Sequence, residues 1–204
     1  MAAVTRPRGI APTGRDTDAE IVRRSWRDPD CFAALFDRHY TAIHAYASRR
    51  LGPGLADDVA AETFLIAFDR RTRYDTGRGD ARPWLYGIAS NLISRHHRSE
   101  VRQYRALART GAHDVTEGHA DRVAGRLDAQ AVRGPLAAAL SEIADGDRDV
   151  LLLVAWAQLG LQEAADALGI PAGTARSRLH RARKKIRAAL GESAPTTLGE
   201  DFDR

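Results

Sequence analysis

Apolar residues recur at separations of three, four and seven along most of this 204-residue chain, and nowhere do they alternate with polar ones over a strand's length. A period near 3.6 belongs to a helix with one face against a core, whereas a half-buried strand repeats every two residues. That feature alone restricts the fold to helix packed on helix. Phe32, Leu35, Phe36, Ile43 and Ala47 form the first clear stripe. Leu51-Gly52-Pro53-Gly54 ends it, since Gly accepts a left-handed cap and Pro cannot continue the ladder. Asp57 and Asp58 then stand at the start of the next helix, near its positive dipole end, where Ala60, Phe64, Ala67 and Phe68 share one face. Residues 74–83 (YDTGRGDARP) read as a loop, and residues 84–98 as a helix with Leu85, Ile88 and Leu92 stacked.

The period fades from about Gly111, where GAHDVTEGHADR reads as a linker, and resumes near Leu127. Residues 136–143, 147–159 and 161–168 read as three helices, and a fourth begins after Gly169-Ile170-Pro171 and runs to about Leu190. Asp145-Gly146-Asp147 reads as a turn with Asp147 as the next N-cap. The reading is therefore all-α, in two small helical modules joined by a flexible linker. Along the chain it gives a disordered N-terminus over 1–17, a first module over 18–100 and a linker over 101–134. A second module follows over 135–190, then an acidic, disordered tail over 191–204.

Charge is small in sum and uneven in placement. Lys+Arg 31 against Asp+Glu 27 leaves +4, with 29 of the basic residues Arg. Residues 171–190 carry seven positive charges and no acid, while residues 136–170 hold six acids against Arg148 alone. A second basic run, 95–109, has five Arg against Glu100. Such asymmetry points to a polyanion such as nucleic acid. The single cysteine, Cys31, excludes an internal disulfide and a Cys-based zinc site, and fits a reducing compartment. Cys31 reads as core. The longest apolar run, residues 150–157, is far short of the ~18 residues of a membrane span. With no signal-peptide pattern at the N-terminus, the expectation is a cytoplasmic protein without membrane insertion.

LQEAADALGIPAGTARSRLHRARKKI has the layout of a helix-turn-helix: a short Ala-rich helix, a turn with Gly, then a longer basic helix. Ala164, Ala165 and Leu168 permit close packing, and Gly169 reverses the chain at positive φ. Pro171 suits a first helical turn, and Thr174 can cap N–H groups there. In the basic helix Ala175, Leu179, Ala182, Ile186 and Ala189 form the buried stripe. Arg176, Ser177, His180, Arg181 and Lys184 then fall on the outer sector. That sector suits the major groove, where Arg bonds two acceptors of one guanine. Each phosphate neutralised steepens the log–log salt slope by ~0.9. The alternative is a solvated bundle helix, but like charges three and four apart repel, which favours a polyanion partner.

These residues resemble a known family. GIPAGTARSRLHRARKKIR is similar to region 4 of bacterial RNA polymerase sigma factors, and DDVAAETFLIAF followed by RPWLYGIASNLISRHHR is similar to region 2. Short chains with only these regions form the extracytoplasmic-function (ECF) group. The resemblance implies a non-enzymatic subunit that carries core RNA polymerase to promoter DNA, opens the −10 element and reads the −35 element as duplex. It implies that Asp58, Glu62 and Asp69, on one helix face at i, i+4 and i+11, dock on the polymerase. It assigns the −10 strand to Tyr74, Arg78, Arg82, Asn91, Arg95 and Arg98, with Trp84 read as a core anchor. The −35 duplex falls to Arg176, Ser177, Arg178, His180, Arg181 and Lys184. The linker would thread the polymerase. Many members are held inactive by an anti-sigma factor, so that partner is implied too.

Two other readings fit the basic helix: a stand-alone helix-turn-helix regulator, and a helical adaptor gripping an acidic protein. No phosphate loop, nucleophile elbow or zinc-protease motif occurs. His39/His44 and His113/His119 are not spaced for a metal on a helix face. The expectation is no catalytic residue, metal or cofactor.

Overall fold

The computed structural model describes residues 16–110 and 123–191, with side chains described outside 110–132. The first fifteen residues, the GAHDVTEGHADR segment with His113 and His119, and the acidic tail past Gly191 lie outside the described residues. What is described is helical, in line with the period. Helix α1 (Asp18–Ser25) opens on Thr17, inside the stretch expected to be disordered. The Thr17 hydroxyl accepts from the Glu20 N–H while the Glu20 carboxylate accepts from the Thr17 N–H, a reciprocal capping box.

A 3-10 turn (Pro29–Phe32) leads into α2 (Ala33–Leu51), which is followed by α3 (Pro53–Arg70). Gly52 joins them at φ +83°, as the cap required. Pro53 begins α3 rather than delaying it, so Asp57 and Asp58 sit in its second turn, where the dipole gives them less than expected. After a 3-10 turn (Arg71–Arg73) and the loop, α4 (Arg82–Arg95) starts two residues earlier than expected, with Pro83 in its first turn. It breaks at His96, and α5 (His97–Thr110) continues into the stretch expected to be linker. The sequence of α5 reads as a charge run because four Arg conceal its apolar contacts. Tyr104 is buried, with Val101 and Leu107 half-buried, and α5 packs along α6 (Val123–Glu142).

The second module continues with α7 (Asp145–Ala155), α8 (Leu161–Leu168) and α9 (Ala172–Leu190). Helix α7 begins at Asp145 with Ala144 as cap, so Asp147 is not the N-cap. It also ends at Ala155, four residues short of expectation, and Gln158 takes a positive φ beyond it. One continuous apolar core runs from α1 to α9, and α4 packs against α8 across the two modules. Among the described residues no helix is long and apolar enough to cross a membrane.

Candidate nucleic-acid interface

Helices α8 and α9 meet at Gly169, whose φ of +63° turns the chain, and Ala164 and Ala165 are buried between them. Helix α9 buries Ala175, Leu179, Ala182 and Ile186. Its stripe ends on Leu190, and the expected Ala189 is exposed, because a step of four from Ile186 follows the helical face better than a step of three. Thr174 does not cap the helix: Pro171 holds that position, and the Thr174 carbonyl accepts from the Ser177 hydroxyl at 2.9 Å.

Opposite the stripe, Arg176, Ser177, His180, Arg181 and Lys184 are all exposed. Arg181 is held by α7. Its Nε and Nη2 donate to the two Asp147 oxygens at 2.9 and 2.7 Å, which raises the guanidinium pKa further. The guanidinium stands in water, which screens the pair, so a phosphate or base competes with Asp147 for Arg181. Arg178 lies differently from the other five. It is half-buried, and a Cβ placed on Gly146 would lie 2.7 Å from its Nη1, so its guanidinium rests on the first turn of α7.

The loop before α4 is built around Tyr74, which is buried rather than presented for base stacking. Its hydroxyl donates to the Arg78 carbonyl at 2.7 Å and its ring leans on Trp84 at 4.9 Å. Burial, then the charges of Asp18, Asp80 and Asp75, push the Tyr74 hydroxyl up to about 12, so it stays a donor. The far end of the loop is pinned by Asp18 of α1, whose carboxylate accepts from the Ala81 N–H at 2.9 Å and pairs with His39 and Arg38. Trp84 is half-buried, which agrees with an anchor that keeps one face open. Asn91, Arg95 and Arg98 are exposed; Arg95 reaches Glu62 at 3.6 Å. Arg78 pairs with Asp166 of α8 at 2.7 Å, and the Arg82 guanidinium donates to the Ala157 carbonyl.

These groups surround a cleft of about 700 Å³ between the modules. Tyr74, Arg78, Trp84 and Asn91 form one wall, and Asp166 and Ile170 of the helix-turn-helix form the other. A third surface lies on α3. Asp58, Glu62 and Asp69 are exposed on one face, and Leu65, 62% exposed, sits among them at i+7 from Asp58. Phe36, expected in the α2 stripe, is also exposed and stacks with Tyr40 at 4.8 Å beside Phe64.

Sequence reasoning missed a set of buried charges. Arg50, Glu100, Arg148 and Asp149 are each 7% exposed or less. Arg50 donates to Glu100 and to Asp149, both at 2.6 Å, and Arg148 donates to Glu100 at 3.1 Å. Four of the six acids of 136–170 are thus engaged by arginines: Asp145 by Arg148, Asp147 by Arg181, Asp149 by Arg50, and Asp166 by Arg78. Counting charge per segment hid this. The signal was there in Arg148-Asp149, which directly precede the apolar run 150–157 that α7 carries as far as Ala155.

Comparison with known proteins agrees with this architecture. The family model for Sigma-70 region 2 matches residues 35–103, and that for Sigma-70, region 4 matches residues 133–186. The chain is 30% identical over 164 residues to the RNA polymerase sigma factor CarQ of Myxococcus xanthus, covering 80% of this chain and 91% of the relative. It is 30% identical over 170 residues to the ECF RNA polymerase sigma factor SigW of Bacillus subtilis, covering 80% and 90%. The structure of CnrH in complex with the cytosolic domain of CnrY is similar with a TM-score of 0.60 at 26% identity, covering 88% of this chain and all of that one. With a helix-turn-helix behind an exposed basic face and a second helical module before it, the chain belongs to the RNA polymerase sigma factors, in the ECF group.

Proposed function

We propose that this promoter-directing sigma factor divides its work among three surfaces. The outer sector of α9 reads the −35 duplex through Arg176, Ser177, His180, Arg181 and Lys184, with Arg178 bracing the helix from its seat on α7. The loop and α4 take up the −10 strand. Arg78, Arg82, Arg95 and Arg98 supply charge, Asn91 hydrogen bonds, and the open face of Trp84 a stacking surface, while Tyr74 shapes the loop from beneath. The acidic face of α3 docks on core polymerase, with Leu65 and Phe36 as apolar contacts inside a rim of Asp58, Glu62 and Asp69. An apolar centre with a charged rim is the usual anatomy of a protein interface. Residues 101–134 join the two modules across the polymerase. The chain performs no bond chemistry and acts in the cytoplasm with its polymerase. The solved complex of CnrH with the cytosolic domain of CnrY supports a protein partner for this chain as well, and the family resemblance points to an anti-sigma factor in that place.

One observation carries the reading: every residue expected on the outer sector of α9 is exposed, opposite a stripe that is buried. Two variants separate the surfaces. Asp58→Arg is expected to weaken association with core polymerase while leaving duplex binding by the free chain unchanged. Arg181→Ala is expected to do the reverse. Equal loss of both activities in either variant overturns the division.

A further inference from the structure

Arginines recur on α5 at positions 98, 102, 105 and 109, and Arg95 at the end of α4 precedes them. Steps of three and four keep to one helix face, and all four α5 side chains are exposed. The opposite face is fixed. Glu100 and Tyr104 are each 1% exposed, and Glu100 accepts from Arg50 of α2 at 2.6 Å and from the Tyr104 hydroxyl at 3.3 Å. The one acid of the helix is thus turned inward, which leaves the stripe uncompensated. Among the described residues none of the four arginines enters an ion pair, whereas Arg50, Arg95 and Arg148 around them do. Arg102 donates to the neutral Ser99 hydroxyl at 3.0 Å.

Like charges three and four residues apart repel, so a helix that keeps four of them on one face is relieved by a line of anions. The dimensions suit duplex DNA. At 1.5 Å per residue, Arg98 to Arg109 spans about 16 Å. One strand of B-form DNA sets a phosphate every 3.4 Å of axis, so that span faces about five phosphates. An acidic protein face has no such repeat to offer, and the planar guanidinium matches phosphate in particular. The helix also stands in the right place. His96 separates α4 from α5 by a single residue, and its carbonyl accepts from the Ser99 and Glu100 N–H groups at 2.8 and 3.0 Å. Helix α5 therefore sets out from the end of α4 that carries Asn91 and Arg95. From there the chain passes to the module whose α9 is assigned the −35 duplex, and the DNA between those two readers is double-stranded.

We propose that Arg102, Arg105 and Arg109 continue the line of Arg98 as a phosphate rail for the duplex immediately upstream of the −10 element. The rail adds affinity and salt dependence and reads no bases. It rests on the assignment of α4 and Arg98 to the −10 strand. Its test uses the full-length chain with core polymerase and a fluorescent promoter fragment from which that holoenzyme initiates. Arg102→Gln, Arg105→Gln and Arg109→Gln are combined in one variant. Gln keeps a helix propensity close to that of Arg, and the three positions are exposed, so the melting temperature should hold.

At about 50 mM salt the variant should bind the fragment about tenfold more weakly, and the slope of log affinity against log salt should flatten by about 2.7, ~0.9 for each phosphate released. A second arm needs no variant. Methylphosphonate linkages, which carry no charge, at about five positions upstream of the −10 element should weaken binding of the unmodified holoenzyme to a similar degree. Placed against the triple variant, the same linkages should cost less than about twofold more, since both changes remove one interaction. Binding that is unchanged in the variant, or on the neutral backbone, overturns the rail. So does a variant whose loss is the same on charged and neutral backbones, because the arginines would then face an acidic surface of the polymerase. Failure of the underlying −10 assignment looks different: Asn91→Ala would open promoters normally while the coupling between the arginines and the linkages persists.

Discussion

Arg181 shows what one residue adds to a charge count. From sequence it is one of seven positive charges on a basic helix; in the fold its guanidinium is shared with Asp147, 34 positions away. Removing the competitor should help DNA. Asp147→Asn is expected to tighten −35 duplex binding a few-fold, and Arg181→Ala to weaken it and lower the salt slope by ~0.9 if the contact is to phosphate. Titration of affinity against salt in both variants checks this. Tyr74 is the opposite case. The resemblance assigns it to the −10 strand, yet its side chain is a buried post beneath the loop, because no pattern in a loop reveals which way a side chain turns. Tyr74→Phe removes the bond to the Arg78 carbonyl, and should cost about 0.5–1.5 kcal/mol of stability in chemical denaturation while leaving the ring packed on Trp84.

At the scale of the element, the helices with clean stripes were legible. In α9 the apolar and basic residues separate onto two faces by spacing alone, and the structure moved only its last buried position, from Ala189 to Leu190. Leu179→Ala opens a cavity beneath the recognition face and should cost about 2–5 kcal/mol, read by thermal or chemical denaturation. In α3 the carboxylates were legible and their apolar centre was not, since a lone exposed Leu carries no periodic signal. Leu65→Asp is expected to weaken association with core polymerase without lowering the melting temperature, as 62% of Leu65 is already in water. Helix α5 was hidden by its arginines. Its buried side is one Tyr and one Glu, and a buried Glu is recognisable only once Arg50 and Arg148 are seen beside it.

Across the whole molecule the chain is held by contacts between segments far apart in sequence, and these were the least legible. Asp18 joins α1 to α2 and to the start of α4. Burial alone would raise its pKa, but the bonds from His39, the Ala81 N–H and Arg38 outweigh it and hold the carboxyl below the usual range. A group depressed on folding stabilises the fold fully above its unfolded pKa, and that contribution is lost as pH falls through the lower folded value. Melting temperature should therefore drop as pH falls below about 4, the unfolded Asp value, and Asp18→Asn should be less stable at neutral pH with a shallower acid slope. The net charge of +4 belongs to this scale too: it is what remains after acids of the second module neutralise arginines of both.

That the chain works as a sigma factor is tested most directly by in vitro transcription with purified core polymerase on a library of promoter fragments. The chain should confer initiation that depends on both elements, weakened by Arg181→Ala where the −35 element is intact and by Asp58→Arg on every promoter. Initiation no better than with core alone, alongside tight and specific duplex binding by the free chain, would contradict it.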